Sequence, residues 1–326
     1  MKQITSFLET VKLARKQGHR NMTLFPLLAP DGIMPHYLVM EQALEKDRVH
    51  ITELDQDGSV PELKLVNKGT KPVLVIEGEE LVGAKQNRTV NVSFLIAGKS
   101  EMVLPVSCVE QGRWAYGSNR FSSGKRMMHA SLRRKSQQDV NCSLSRDRGY
   151  RSDQGRIWND IAGKSARMKV EAPTGAMAEI FESFEDGLTE FLEAFQLVDW
   201  QVGAVFAING QILGLECFGC HDTFKRFFDK LVKSYALDAL DSVDTSKSDS
   251  PPPDKARRFI ASARKGKGGT SPSIGLGTNI MFASRTVSGA ALVEGDWVLH
   301  LSAFRKDSTG RLGFQRHSRL RNNRIY

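Results

Sequence analysis

Cysteine is scarce in this 326-residue chain, and long hydrophobic runs are missing. Its four cysteines are too few and too scattered for a disulfide framework in a chain of this size. No apolar run approaches the roughly 20 residues that a membrane-spanning helix needs. The N-terminus carries Glu9 and Lys12 among its apolar positions and has no cleavage-site pattern, which argues against a signal peptide. We therefore expect a reduced, cytoplasmic protein without a membrane partner.

Complete motifs for the common cofactors are also missing. Three Gly-Lys pairs, at positions 98, 124 and 163, lack the glycine that a phosphate-binding loop carries five residues earlier. The CFGCH stretch at residues 217–221 matches the haem-attachment pattern, but that attachment requires export, so haem is disfavoured. No second Cys/His pair stands at zinc spacing, and packed thiols are favoured over a redox or metal site. The sequence thus assigns no cofactor.

Acidic residues are in the minority, with 37 Asp and Glu against 46 Lys and Arg and a formal net charge of +9. The basic excess is concentrated in residues 113–156 and 305–326. Either segment could contact nucleic acid through its phosphates, with aromatic residues of the first segment available for stacking. A solvated surface is the commoner role of such runs. A third interpretation is that residues 113–156 line a cleft for a small anionic ligand.

Short strands dominate the first third of the chain, rich in β-branched residues and separated by Gly, Asp, Asn or Pro. This spacing predicts an α+β fold with an antiparallel, sandwich or barrel-like N-terminal half. Helices over residues 154–170 and 174–194, a β-hairpin, and a C-terminal helix and strands follow. Asn209-Gly210, between two alternating apolar runs, predicts a type I′ hairpin turn.

We expect a single domain over residues 1–305, with an N-terminal helix over residues 1–17. Residues 113–156 form a basic excursion that we expect to be largely surface loop, with a helix near 127–138. Residues 263–273 are expected to be flexible. The remaining units are a β-rich part over 20–114, a helical and hairpin part over 154–240, a linker over 241–255, strands over 276–305 and a flexible basic tail over 306–326.

Between residues 77 and 114, an unusual density of charged and amide side chains interrupts hydrophobic strands. Buried charges and amides cost free energy unless they are paired, so folding alone gives little reason for this collection. We interpret the block as a binding or catalytic site; the alternative is a salt-bridged edge strand whose charges face water. The candidate residues are Glu77, Glu79, Glu80, Lys85, Gln86, Asn87, Arg88, Cys108, Glu110, Arg113 and Trp114.

Carboxylates supply the candidate catalytic groups. Glu79, Glu80 and Glu110 suit general acid–base chemistry, or ligation of a hard divalent metal. If the strand stays extended, Glu77 and Glu79 share one face and Glu80 takes the other. Cys108 is a candidate nucleophile, but no histidine lies nearby in sequence to activate it. A buried, inert thiol is therefore the favoured interpretation.

The other candidates suit a planar, anionic ligand. Gln86 and Asn87 carry donors and acceptors that match a ribose, a base edge or a phosphate. Trp114 suits stacking against a planar group. The cations that suit neutralisation of phosphate are Lys85, Arg88 and Arg113.

The strings EGEELVGAKQNR and VSFLIAGKSEMVLPVSCVEQGRW resemble the central signature of the ARPP domain family, the ADP-ribosylglycohydrolase- and rhodanese-phosphatase-associated protein domain. The resemblance extends through the VGAVFAINGQILGLECF hairpin and covers most of residues 20–305. It implies a role in handling ADP-ribose-like or nucleotide-derived molecules, because the family is named for its association with enzymes of that kind. The CFGCH cysteines and the Arg-rich tail are not part of the resemblance.

Three classes of function follow from these observations. The first is binding, or hydrolysis of or transfer from, an ADP-ribose- or nucleotide-like ligand at the 77–114 block. The second is a non-enzymatic module in which the same polar groups rigidify the fold or an oligomer interface. The third is a nucleic-acid-associated protein that works through residues 113–156 and 305–326. The sequence does not decide whether the protein is an enzyme.

Overall fold

A computed structural model describes residues 1–30, 36–242 and 250–306, and within these ranges it contains eight helices and 18 strands. The helices are α1 Lys2–Thr10, α2 Met40–Glu45, α3 Ala130–Leu144, α4 Gln154–Met168, α5 Met177–Ser183, α6 Glu185–Ala194, α7 His221–Asp241 and α8 Pro253–Arg264. The strands are β1 Lys12–Leu13, β2 Gln17–His19, β3 Met22–Leu28, β4 Leu38–Val39, β5 Val49–Thr52, β6 Glu62–Asn67, β7 Val73–Val75, β8 Glu79–Gly83, β9 Arg88–Val90, β10 Phe94–Ile96, β11 Ser100–Cys108, β12 Phe121–Met127, β13 Gln201–Ile208, β14 Gln211–Phe218, β15 Lys267–Pro272, β16 Thr278–Ala283, β17 Val287–Glu294 and β18 Trp297–Arg305.

Within the described ranges the strands form three sheets. The largest has the order β1-β3-β13-β14-β18-β17-β16-β15, with β2 paired to β3. A second sheet runs β12-β8-β9-β11-β6-β5, and a third runs β10-β7-β4. All pairings are antiparallel except that of β4 with β7. The predicted α+β class, with antiparallel sheet in the N-terminal half, is confirmed.

The β13–β14 hairpin and α7 form the centre of the main core. Asn209 and Gly210 have φ of 49° and 69°, the left-handed conformation that a type I′ turn requires at both positions. Helix α7 lays its apolar face on β13, where the rings of Tyr235 and Phe206 stack 4.0 Å apart. Burial of this aromatic face, and not helix propensity alone, stabilises α7.

The six-stranded sheet positions the polar block. Strand β9 lies between β8 and β11, with Arg88 opposite Leu81 on one side and Cys108 on the other. Glu80 is opposite Thr89. Directly opposed residues share a sheet face and consecutive residues alternate, so Glu80 and Arg88 project from opposite faces.

The basic excursion is more ordered than the sequence predicts. Residues 121–144 form strand β12 and helix α3, with Phe121, Met127, Leu132 and Val140 buried in two hydrophobic clusters. Polar residues separate these few apolar positions, so the apolar periodicity is weak in the sequence. Edge strand β15 similarly forms where residues 263–273 predict flexibility, because its backbone pairs with β16 along its whole length.

Two predicted helices are shorter or divided. Helix α1 ends at Thr10, where Val11 turns extended and leads into β1. The helix predicted over residues 174–194 is divided into α5 and α6 at Phe184, whose φ of −117° is not helical. In the described ranges, no helix is both long and apolar enough to cross a membrane. Residues 243–249 of the predicted linker and 307–326 of the predicted tail lie outside those ranges.

Candidate functional site

The turn between β8 and β9 meets the segment that follows β11. The Asn87 backbone N–H donates to Glu110 Oε2 at 3.0 Å, and the Ala115 N–H donates to the Lys85 carbonyl at 3.3 Å. Because β9 pairs antiparallel with β11, the start of one strand and the end of the other lie side by side. Two predicted groups of site residues, 85–88 and 110–114, are thus in direct contact.

Arg113 joins these two segments and uses all of its donors to do so. Its Nε and Nη2 bind the two oxygens of Glu110 at 2.9 and 2.7 Å, and Nη2 also reaches Asn87 Oδ1 at 3.1 Å. Its Nη1 donates to the Ala84 and Ala115 carbonyls at 2.8 and 3.0 Å. Burial opposes ionisation of Glu110, but the hydrogen bonds from Arg113 and Asn87 outweigh it and lower the pKa of that carboxyl.

Lys85 lies between two aromatic rings at the rim. Its Nζ donates to the Asp57 carbonyl at 2.7 Å and is 5.1 Å from the ring centroids of both Trp114 and Tyr116. Trp114 and Tyr116 are 49% and 53% exposed. Large aromatic side chains exposed to this extent, with a cation between them, offer a face on which a planar ligand can stack.

Beneath Trp114, the Arg88 guanidinium is wholly buried, 5.8 Å from the Trp114 ring centroid. Nη1 donates to Gln86 Oε1 at 3.1 Å, but Nε and Nη2 have no hydrogen-bond partner among the described residues. The nearest carboxylate is Glu53, 3.9 Å from Nη2, and Glu53 Oε2 has no hydrogen-bond partner in the same part of the chain. Burial lowers the pKa of Arg88.

Gln86 and Cys108 complete the buried wall beside Arg88. Gln86 Nε2 donates to the Gln111 carbonyl at 3.3 Å, and its Oε1 lies 3.2 Å from the Cys108 sulfur. Burial raises the pKa of Cys108, so the thiol stays protonated. This environment favours the inert thiol over the nucleophile.

Glu80 occupies the opposite face of the sheet. It is wholly buried, and neither carboxylate oxygen has a hydrogen-bond partner among the described residues. Its closest cation is Arg126, whose Nε is 3.4 Å from Oε2. Burial raises the pKa of Glu80 to about 7, and Arg126 offsets part of that effect. A carboxyl group with this pKa exchanges its proton near neutral pH.

Glu77 and Glu79 point neither to the Arg88 site nor to Glu80. The extended backbone that would place them on one face is interrupted at Gly78, whose φ is +85°. Glu77 accepts hydrogen bonds from Gln137 and Ser302, while Glu79 accepts from Lys230 Nζ at 3.2 Å. These two carboxylates serve interior contacts between elements far apart in sequence.

A hydroxyl–imidazole–carboxylate series lies near Glu77. Ser93 Oγ is 2.9 Å from His300 Nδ1, and His300 Nε2 is 3.6 Å from Glu216 Oε2. The order resembles that of hydrolytic triads. However, Ser93, His300 and Glu216 are only 4%, 2% and 0% exposed, so a substrate has no access to them. Arg133 Nη1 also pairs with Glu216 at 2.8 Å, and the series forms part of the polar interior.

Of the residues at the Arg88 site, Glu53 is the one that the sequence did not reveal. It directly follows the half-buried strand β5, but it stands apart from the polar block, and a lone polar residue at a strand end is a weak signal. Tyr116, one of the aromatic residues of the basic excursion predicted to be available for stacking, lies two residues beyond Trp114. The described chain contains no group of three or more His, Cys, Asp or Glu residues placed to hold a metal ion.

Comparison with known proteins agrees with the sequence resemblance. Comparison with curated proteins and with solved structures gave no match. A family model, ARPP-1, the ARG and Rhodanese-Phosphatase-superfamily-associated Protein domain, matches residues 10–304. That match covers nearly the whole chain, including every strand of the site. The chain therefore belongs to the ARPP-1 family.

Proposed function

We propose that the chain binds a small ligand of the ADP-ribose or nucleotide class between Arg88, Glu53 and the Trp114–Tyr116 rim. The observation that supports this proposal is the wholly buried Arg88 guanidinium, with Nε and Nη2 unpartnered among the described residues. A buried cation with unused donors costs several kcal/mol unless a polar partner occupies them. The family name, which refers to ADP-ribosylglycohydrolase and to the rhodanese-phosphatase superfamily, agrees with this class of ligand.

The free groups match a phosphorylated sugar. Nε and Nη2 form one edge of the planar guanidinium, the edge that binds two oxygens side by side. Glu53 Oε2, unpaired in the described chain, is an acceptor for a sugar hydroxyl. Trp114 covers Arg88, so the ligand enters when Trp114 moves aside and then stacks its base on the rim.

This proposal concerns binding and gives Arg113 a supporting role. Arg113 has no donor left for phosphate, since Glu110, Asn87 and two carbonyls take all of them. The same observation favours the second candidate, a module whose polar block only rigidifies the fold. Binding of nucleic acid by residues 113–156 has less support, because Arg126, Lys135 and Arg156 are paired with carboxylates.

A thermal-shift titration with ADP-ribose, ADP and ribose 5-phosphate tests the proposal. A ligand at about 100 times its Kd stabilises the native state by about 2.7 kcal/mol. We expect this shift in the wild type, its loss in Arg88→Met and its reduction in Trp114→Ala. Trp297→Ala is the matched control, because Trp297 is 52% exposed and lies outside the site.

Two outcomes would overturn the proposal. Equal stabilisation of the wild type and Arg88→Met would place the ligand elsewhere. If none of the three compounds shifts the wild type, and Arg88→Met is less stable than Trp297→Ala, the polar block serves the fold alone.

A further inference from the structure

An open groove of about 630 Å³ lies at the far edge of the large sheet. Its walls come from the last two turns of α8, the start of β15 and the turn between β16 and β17. A groove of this size is in the range of small-ligand sites. None of its lining residues belongs to the Arg88 site. They are Arg258, Ala261, Ser262, Lys265, Lys267, Ala283, Ser284 and Arg285.

Four cations converge on this groove. Arg258, Lys265, Lys267 and Arg285 are all exposed, and none has a carboxylate partner among the described residues. On the same helix, by contrast, Arg257 pairs with Asp254 and Arg264 pairs with Glu9. Like charges held around one concavity repel one another and concentrate anions there.

Hydroxyl groups line the floor between these cations. Ser262 Oγ lies 2.8 Å from both Ser284 Oγ and Thr286 Oγ1. Each hydroxyl can donate and accept, so the cluster can turn its donors toward an anion. Lys306 Nζ donates to the Ser284 carbonyl at 2.8 Å and so links the β16–β17 turn to the residue that follows β18.

We propose that this groove binds the phosphate chain of a small oligophosphate, with three or more phosphates neutralised by the four cations. Phosphate oxygens match both the ammonium and guanidinium donors and the hydroxyl floor. Single-stranded nucleic acid is a poorer match, because its sites stack bases on aromatic side chains and none of the described residues that line this groove is aromatic. The site is independent of the one proposed around Arg88.

Calorimetric titration of the full chain with inorganic tripolyphosphate, at about 0.15 M salt, tests this assignment. Charge reversal in Lys267→Glu/Arg285→Glu is expected to weaken binding at least roughly tenfold per removed cation. The control Lys2→Glu/Lys225→Glu makes the same change in net charge at exposed positions outside the groove. We expect it to bind like the wild type, as should Arg88→Met.

Equal weakening by the control variant would show a response to net charge alone and overturn the groove as a site. So would tight, salt-sensitive binding of a short DNA duplex by a wild type that does not bind tripolyphosphate. Arg258→Gln provides a milder change if the double variant fails to fold. Unaltered affinity in Arg258→Gln and in a folded double variant would also contradict the proposal.

Discussion

Arg126 places its Nε 3.4 Å from the carboxylate of Glu80, yet its Nη1 and Nη2 are bound to Glu182 and the Ala178 carbonyl. Glu80 therefore shares its one cationic neighbour, Arg126, with Glu182. Its own oxygens have no hydrogen bond within the described chain. Burial prevails over this partial pairing and sets the pKa of Glu80 at about 7, above its ordinary 4.5.

Glu80→Gln is expected to stabilise the protein at mildly alkaline pH. The folded state holds the Glu80 proton up to about pH 7, whereas the unfolded chain releases it near 4.5, so wild-type stability falls as pH rises through that window. Glutamine mimics the protonated form and removes the fall. The variant should match the wild type below pH 4.5 and exceed it by on the order of 3 kcal/mol near pH 8. Urea unfolding across this pH range measures the difference.

Glu182→Gln is the control for that series. Glu182 shares Arg126 but its side chain is 63% exposed, so its removal should change stability by less than about 1 kcal/mol. A Glu80→Gln variant that is less stable than the wild type at every pH would contradict the assigned protonation.

Two replacements of Arg113 should distinguish the contribution of its charge to stability from that of its hydrogen bonds. Arg113→Ala leaves Glu110 buried without its partner and frees the Ala84 and Ala115 carbonyls, at a cost of about 3 kcal/mol. Arg113→Lys keeps the charge but cannot span two carboxylate oxygens and two carbonyls, so it should recover less than half of that loss. Arg148→Ala, at an exposed position, is the control.

The pH profile of Arg113→Ala provides a second measure. Because the pKa of Glu110 is lowered in the wild type, the associated stability is complete above its ordinary 4.5 and is lost as pH falls below it. This acid-dependent loss should be smaller in Arg113→Ala. An identical acid profile in both proteins would show that the contact contributes nothing in solution.

Thiol titration should distinguish the cysteines of the native protein. Cys142 is exposed, whereas Cys108, Cys217 and Cys220 are buried, and burial raises the pKa of Cys108 and Cys217. We expect one fast-reacting thiol with a chromogenic disulfide reagent, and four after denaturation. A fast reaction that survives Cys142→Ser and disappears in Cys108→Ser would instead identify Cys108 as a reactive nucleophile.

Gly78→Ala tests how tightly the interior is built around the Glu77–Glu79 turn. An added Cβ would meet Arg133 Cδ at 2.4 Å in a backbone with φ of +85°. Gly149→Ala is the control, because its φ is +72° and nothing lies within 4 Å of the new Cβ. We expect about 1 kcal/mol for the control and at least twice that for Gly78→Ala in urea unfolding. Similar losses of stability in the two variants would show that the Arg133 side chain moves aside at little cost.

Local signals in the sequence were sufficient for several elements. Asn209-Gly210 predicts its hairpin because only a few residue pairs tolerate left-handed backbone at both positions. The approach of residues 85–88 to 110–114 was predictable because both polar runs lie at ends of strands close in sequence. The sequence does not reveal strand order or register, however. Glu80 and Arg88 lie on opposite faces of the sheet because Glu80 is paired with Thr89, the residue next to Arg88, and consecutive residues of a strand alternate between the faces.

Contacts between distant segments were beyond the reach of sequence patterns. The partners of Glu77 include Ser302, 225 positions away, and that pairing depends on how the sheets pack. Glu53 reaches Arg88 because the six-stranded sheet curves until β5, at one edge, approaches β12 at the other, and apolar periodicity does not encode that curvature. The sequence showed that the candidate block is polar, but it did not show which partner each of its side chains contacts.

The position of β18 affects how the protein is made. Residues 297–305 are the last strand of the described chain, yet they insert between β14 and β17 near the middle of the large sheet. Strand β17 is made immediately before β18, but β14 is made about 80 residues earlier and exposes an unpaired edge until β18 pairs with it. The nascent chain is therefore most open to aggregation in the interval between the synthesis of β14 and the pairing of β18.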